Sequence, residues 1–236
     1  MRFPTTTALC LGTLSVLVLA ACSNGSTRAT DPMSSASASG RQEGRNAPTA
    51  GPLSSAALSK RLLDESDLGE GYARKPEQPS RHDDVTVTGC PALAKLGGDA
   101  ATGASLAFPR KAKASFAYAG GSNYELTEEL YSDAEDKLSR SVSRIFEAMT
   151  SCPTYHVLAG GTPVTVTTQK VLVARRLGDE QWSQLLTFTA GRRGSIVKQT
   201  AVRTGTVVVV VSGSPGLVDA HVRKAVAKAT VGRSTG

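Results

Sequence analysis

Residues 201–212 read Ala-Val-Arg-Thr-Gly-Thr-Val-Val-Val-Val-Val-Ser, and this stretch decides the fold. Val207 to Val211 are β-branched and apolar at every position, so the strand they form must be covered on both faces. It belongs in the middle of a sheet. Thr204-Gly205 just before it is turn punctuation, and 195–203 is the strand that precedes the turn. Further back, Gly191-Arg-Arg-Gly194 sets off a run at 181–190, and Gly178-Asp179 sets off another at 163–175. Four strands, 163–175, 181–190, 195–203 and 206–212, joined by hairpin signals predict an antiparallel meander.

Helices lie on both sides of this block. After it, Ser212-Gly-Ser-Pro-Gly216 reads as a turn, with Ser214 as cap and Pro215 at the first helical position. The helix that follows spans Leu217 to Thr230, with Val218, His221, Val222, Ala225 and Ala229 on its inner face. Before the block, Asp133 to Ser151 is the best helix. Ser132 is its expected cap, Glu135 stands at capping-box spacing, and Leu138, Val142, Ile145, Phe146 and Met149 make one stripe. Cys152 continues that stripe and Pro153 stops the helix. Glu125, Glu128, Glu129, Asp133, Glu135 and Asp136 gather ahead of and within its first turn, where the helix dipole favours acids.

The remaining elements are shorter. Phe116 to Tyr118 and Tyr124 to Tyr131 predict a strand pair around Gly120-Gly121, and Val85 and Val87 a short strand before Cys90. Ser54 to Leu63 predicts a short helix, and Asp64 to Tyr72 a turn away from it. The fold class is α+β: an antiparallel meander sheet packed against helices, in a single domain at 53–232.

The N-terminus carries a different signal. Arg2 precedes an apolar run from Ala8 to Ala20, about the length of a signal-peptide core and too short for a stable membrane span. It ends in Leu19-Ala-Ala-Cys22, which resembles the lipobox of bacterial lipoprotein precursors. That resemblance implies cleavage after Ala21 and a diacylglyceryl group, with palmitate-type chains, on the Cys22 thiol. Two acyl chains suffice for stable anchoring. Residues 1–21 are then the signal, and the product is lipid-anchored on the extracytoplasmic face of the cell membrane. Residues 22–52 are Ser, Ala, Thr, Gly, Asn and Arg with almost no bulky apolar side chain, a flexible tether. About thirty such residues reach roughly 30 Å.

Of four cysteines, Cys10 leaves with the signal and Cys22 carries lipid. In an oxidising compartment the remaining two, Cys90 and Cys152, are expected as one disulfide, with buried thiols or a metal pair as the alternatives. No His–Cys spacing supports a metal.

Catalytic signatures are missing. There is no G-x-S-x-G, H-E-x-x-H, P-loop or dinucleotide fingerprint, so no enzyme, cofactor or metal is expected. His82 lies in the polar run Arg81-His-Asp-Asp84, His156 in a strand-like run, and His221 on an inward helix face. The charge is +7, and cleavage removes only Arg2. Arg110, Lys111 and Lys113 form one basic patch, Arg192 and Arg193 tip a hairpin, and Lys224 and Lys228 share a helix face. Nucleic acid is not the expected partner, because aromatic interleaving is absent. Anionic headgroups or acidic wall polymers suit such a surface better, and simple solvation explains it as well. Trp182 is either a core aromatic at a strand start or the lining of a cleft; Arg192 and Arg193 are candidate surface contacts.

Several segments resemble the PknH-like extracellular sensor domain, found on mycobacterial receptor kinases and many actinobacterial lipoproteins. They are Leu62-Leu-Asp-Glu-Ser-Asp-Leu-Gly-Glu-Gly-Tyr72, the Cys90-Pro and Cys152-Pro pair, Gly178-Asp-Glu180, and the run from Val202 to Val211 with a final helix. The resemblance implies a twisted antiparallel sheet, flanking helices and a cleft that receives a ligand. The PknH sensor has two disulfides, and this chain has cysteines for one. The function expected is a ligand- or signal-binding module, its ligand unknown. An envelope protein–protein adaptor is the alternative, and a hydrolase of unrecognised type the third.

Overall fold

The computed structural model describes residues 51–77, 85–97, 108–120, 124–159 and 162–231. The expected signal, Cys22, nearly all of the expected tether and His82 lie outside them. Nine strands form one antiparallel sheet: β1 (Tyr72–Lys75), β2 (Val85–Thr88), β3 (Lys111–Tyr118), β4 (Glu125–Ser132), β5 (Thr154–Ala159), β6 (Thr162–Lys170), β7 (Glu180–Ala190), β8 (Arg193–Thr204) and β9 (Val207–Gly213). Their order is β1-β3-β4-β9-β8-β7-β6-β5-β2. Strands β5 to β9 are the meander, one strand longer than the four expected, because the run around His156 pairs with β6.

The five valines do what their pattern requires. β9 sits between β4 and β8, and all five side chains are buried. Val207, Val209 and Val211 join a core under the short helix α1 (Ser55–Ser59) and the last helix α5 (Pro215–Ala229). Val208 and Val210 point the other way, against Leu138, Val142 and Phe146 of the long helix α4 (Glu135–Ser151). Each buried valine contributes roughly 1.5–3 kcal/mol before ordering entropy is subtracted. The sheet is thus covered on its α5 face along β3, β4, β9 and β8, and on its α4 face along the middle. Past β8 the α5 face is bare, and Thr154, His156 and Thr167 stand on it exposed.

Several boundaries differ from the sequence expectation, each for a local reason. α4 starts at Glu135 and not at Asp133, and Ser132 does not cap it. The Ser132 hydroxyl instead donates to the Thr206 carbonyl at 2.6 Å and accepts the Leu53 N–H at 2.8 Å. Ser214 precedes α5 without a side-chain cap bond, while Pro215 opens the helix as expected. α1 ends at Ser59, and a second one-turn helix α2 (Glu65–Leu68) follows in the region read as a plain turn. Asp64 and Asp67 hold it by reciprocal capping, an acid pair in place of the usual Ser/Thr and Glu. The run expected at 163–175 leaves the sheet at Lys170. Residues 171–179 then bring Gly178 against β8, where an added Cβ would stand 2.5 Å from the Arg203 carbonyl oxygen.

Cys90 and Cys152 are bonded, with 5.7 Å between their Cα atoms. The bridge joins the start of α3 (Pro91–Ala94) to the end of α4 over a core of Leu93, Met149, Tyr155, Val157 and Leu186.

Candidate functional site

The strands end unevenly, and that mismatch makes a site. β9 pairs with β8 only as far as Gly213 opposite Lys198. β8 runs on for five more residues, back to Arg193, paired there with β7 alone. The chain can leave the sheet at Gly213 because this residue has no side chain. Its φ is +146°, and an added Cβ would lie 2.0 Å from the Glu125 carbonyl oxygen. The Ser214 N–H then bonds that same oxygen at 3.0 Å, and α5 departs on one face.

A groove of about 700 Å³ occupies the step. One wall is the projecting β6–β8 corner, with Val164, Phe188, Ala190, Ile196 and Val197. The other is polar: Glu125, Thr127, Ser212 and Ser214. This suits a ligand with one apolar and one hydrogen-bonding flank. Glu125 is ion-paired with Lys75. Arg193 lies on the groove and has no ion-pair partner among the described residues. A smaller hollow of about 200 Å³, lined by Arg74, Lys75, Lys113 and Ser115, adjoins it through Glu125. The described groove lining holds hydroxyls, one carboxylate and one guanidinium, with no histidine or cysteine.

The expected site residues do not converge. Arg193 lines the groove, and Arg192 stands exposed on the adjoining turn. Trp182 is at the far end of β7, about 27 Å from Arg193 at ~3.4 Å per residue. It packs on Phe146, ring centroids 6.3 Å apart, and borders a separate hollow of about 310 Å³ beside α4 and residues 170–176. His156 is exposed, its Nδ1 3.2 Å from the Thr165 hydroxyl. His221 is half-buried at the rim of the core, its Nε2 2.7 Å from the Tyr72 hydroxyl. Burial, then the charge of Lys224, lowers its pKa.

The basic clusters are largely consumed by ion pairs. Lys113 meets Glu129 at 2.8 Å, and Arg110 is 3.9 Å from Asp133. Lys228 bridges Asp64 and Asp67, and Lys224 approaches Asp67 at 3.4 Å. The acids expected together at the head of the long helix are also divided. Glu135 and Asp136 do sit in the first turn of α4, but Glu128 and Glu129 are buried on opposite faces of β4. Strand alternation through a buried sheet makes that division, and a run of acids beside a helix start concealed it.

The segments that carry the family resemblance are structural. Glu180 and Asp179 hold Arg203, and Asp179 also accepts the Gly205 N–H at 2.7 Å, which clamps the β8–β9 turn. The Leu62 to Tyr72 segment supplies Leu63, Asp64 and Asp67 to the contacts between α2, the sheet and α5. The groove walls carried no recognisable motif. The one signal available was that the valine strand and the strand before it differ in length.

No family model and no curated protein matches the chain. Among solved structures, the chain is similar to the extracellular domain of PknH from Mycobacterium tuberculosis. Identity is 16%, coverage 75% of this chain and 95% of that one, and the TM-score 0.54. An uncharacterised protein from Mycobacterium smegmatis matches at 12% identity over 70% of this chain and 92% of that one, with a TM-score of 0.39. The fold is that of the PknH extracellular domain.

Proposed function

We propose that this chain is a lipid-anchored, extracytoplasmic binding module without catalysis, and that its ligand occupies the groove between the end of β9 and the projecting β7–β8 hairpin. The observation that carries the reading is that groove: a pre-formed space of ligand size, apolar on one wall and polar on the other. The Leu19-Ala-Ala-Cys22 sequence supports the anchor, and the disulfide supports an oxidising compartment. Likeness to an extracellular domain supports the same side of the membrane.

The groove also lies well placed for such a module. The described chain enters at Leu53, bonded to Ser132 at one end of β4. The groove begins at Glu125, the opposite end of that strand, about 24 Å away at ~3.4 Å per residue. Ligand therefore meets the end of the domain remote from where the tether joins.

The test uses the full-length chain in an actinobacterial host fed an alkyne palmitate analogue. The wild type should label and stay with membranes, and Cys22→Ala should do neither; equal labelling of both removes the anchor. Native mass spectrometry of the wild type should show an adduct that is absent from Phe188→Asp. An adduct retained in Phe188→Asp would move the ligand out of this groove.

A further inference from the structure

We infer that the free edge of β8, from Arg193 to Val197, is a strand-addition site that takes an extended peptide of a partner protein into the place β9 vacates. This rests on the groove being the binding site and names the class of its ligand.

Register carries the argument. Ala190 pairs with Arg193 across the two-residue turn Gly191-Arg192, so that pair directs its N–H and C=O groups toward each other. Alternation then turns the N–H and C=O of Gly194 and Ile196 outward, into the groove. Lys198 is the next residue facing that way, and it meets Gly213 of β9. The outward-facing edge is therefore a continuation of the ladder that β9 already uses. Five residues give about 17 Å of edge, the length of an ordinary strand. An incoming peptide antiparallel to β8 would extend the line of β9.

This edge lacks the devices that normally blunt one. At the sheet's outer edge on β1, the Arg74 N–H is already taken by the Glu65 carboxylate at 3.1 Å. From Gly194 to Val197, β8 has no charge and no proline, and Ile196 is 55% exposed. The groove beside it supplies what strand addition uses for selectivity: alternate side chains of the peptide would meet Val197 and Phe188, and the Arg193 guanidinium stands at one end for a carboxylate. The occupant that fits is an extended segment with apolar residues at every second position and an acid near the Arg193 end.

The experiment pans phage-displayed random dodecapeptides against the full-length chain in mild detergent, then measures enriched peptides on variants. Ile196→Pro deletes one outward N–H and leaves the bonds to β7 in place. The expected result is an alternating apolar pattern, at least a tenfold loss of affinity on Ile196→Pro, and at least tenfold slower hydrogen exchange at Gly194 and Ile196 in the complex. N-methylation of every second peptide amide should abolish binding in one phase only, and this reads the ladder on unaltered protein should Ile196→Pro fail to fold. Three outcomes overturn the inference: no enrichment, binding indifferent to N-methylation, or self-association of the chain through this edge in place of peptide binding. A non-peptide adduct lost in Phe188→Asp would overturn it too, while leaving the binding-module reading intact.

Discussion

The side chain of Glu128 and the backbone of Leu63 meet inside the protein, where the Glu128 Oε2 accepts the Leu63 N–H at 2.6 Å. Glu128 is fully buried in β4, and its Oε1 has no hydrogen-bond partner among the described residues. Burial pushes its carboxyl up to about 7; the Leu63 bond and the charges of Lys228 and Arg74 oppose that, and Asp67 adds to it.

A carboxyl raised in the folded state binds more protons there than in the unfolded chain. Its contribution to stability is full below the unfolded value of 4.5 and is lost as pH rises through 7. The loss is on the order of 3 kcal/mol at ~1.4 kcal/mol per pH unit. Thermal melts of wild type and Glu128→Gln at pH 5 and pH 8 separate this from other titrations, His221 included. The difference between the two proteins should shift toward the variant by several degrees at pH 8. A difference independent of pH would mean that Glu128 is not the titrating group.

The Cys90–Cys152 bridge closes a loop across a sequence separation of 62 residues. The chain-entropy relation gives about 4 kcal/mol for a loop of that size. Cys90→Ser/Cys152→Ser should lower the urea midpoint by a corresponding amount. Exchange should rise first in β2, α3 and β5, the elements the bridge ties to α4. Uniform acceleration across all nine strands would contradict that local role.

Gly213→Ala should cost at least about 2 kcal/mol, since a Cβ there meets backbone and not a flexible side chain. Gly191→Ala, in a turn with φ +58° and nothing within 4 Å of the added Cβ, should cost only about 1 kcal/mol. Equal costs in denaturant titration would show that the chain can leave β9 without the close approach to Glu125.

Trp182 and Arg193 should separate stability from binding. Trp182→Ala removes the contact with Phe146 and should destabilise by about 2 kcal/mol, less than a fully buried tryptophan, while groove occupancy stays unchanged. Arg193→Glu should leave stability within about 0.5 kcal/mol and reduce occupancy. Circular dichroism melts and native mass spectrometry on the same samples read both. Loss of ligand in Trp182→Ala without unfolding would place the site beside α4 instead.

What could be read in the residues had local causes. A run of five valines demands cover on two faces wherever it occurs, and the stripe from Leu138 to Met149 demands one buried face. Gly191-Arg192 and Thr204-Gly205 turn the chain whatever surrounds them. Boundaries failed where a side chain had a distant partner. Ser132 looked like a cap until Thr206 and Leu53, neither near it in sequence, claimed its hydroxyl. Asp64 and Asp67 made a helix of one turn, too short to show periodicity.

The sequence by itself determined the α+β class, the order of the meander, the central place of β9 and the pairing of Cys90 with Cys152, because periodicity, turn chemistry and cysteine count act over a few residues or over none. Only the tertiary structure decided that Glu128 is buried beside Leu63 and that β8 outruns β9 to leave a groove with an open edge. Both depend on which strands become neighbours and where each one stops, and those are properties of the packed sheet.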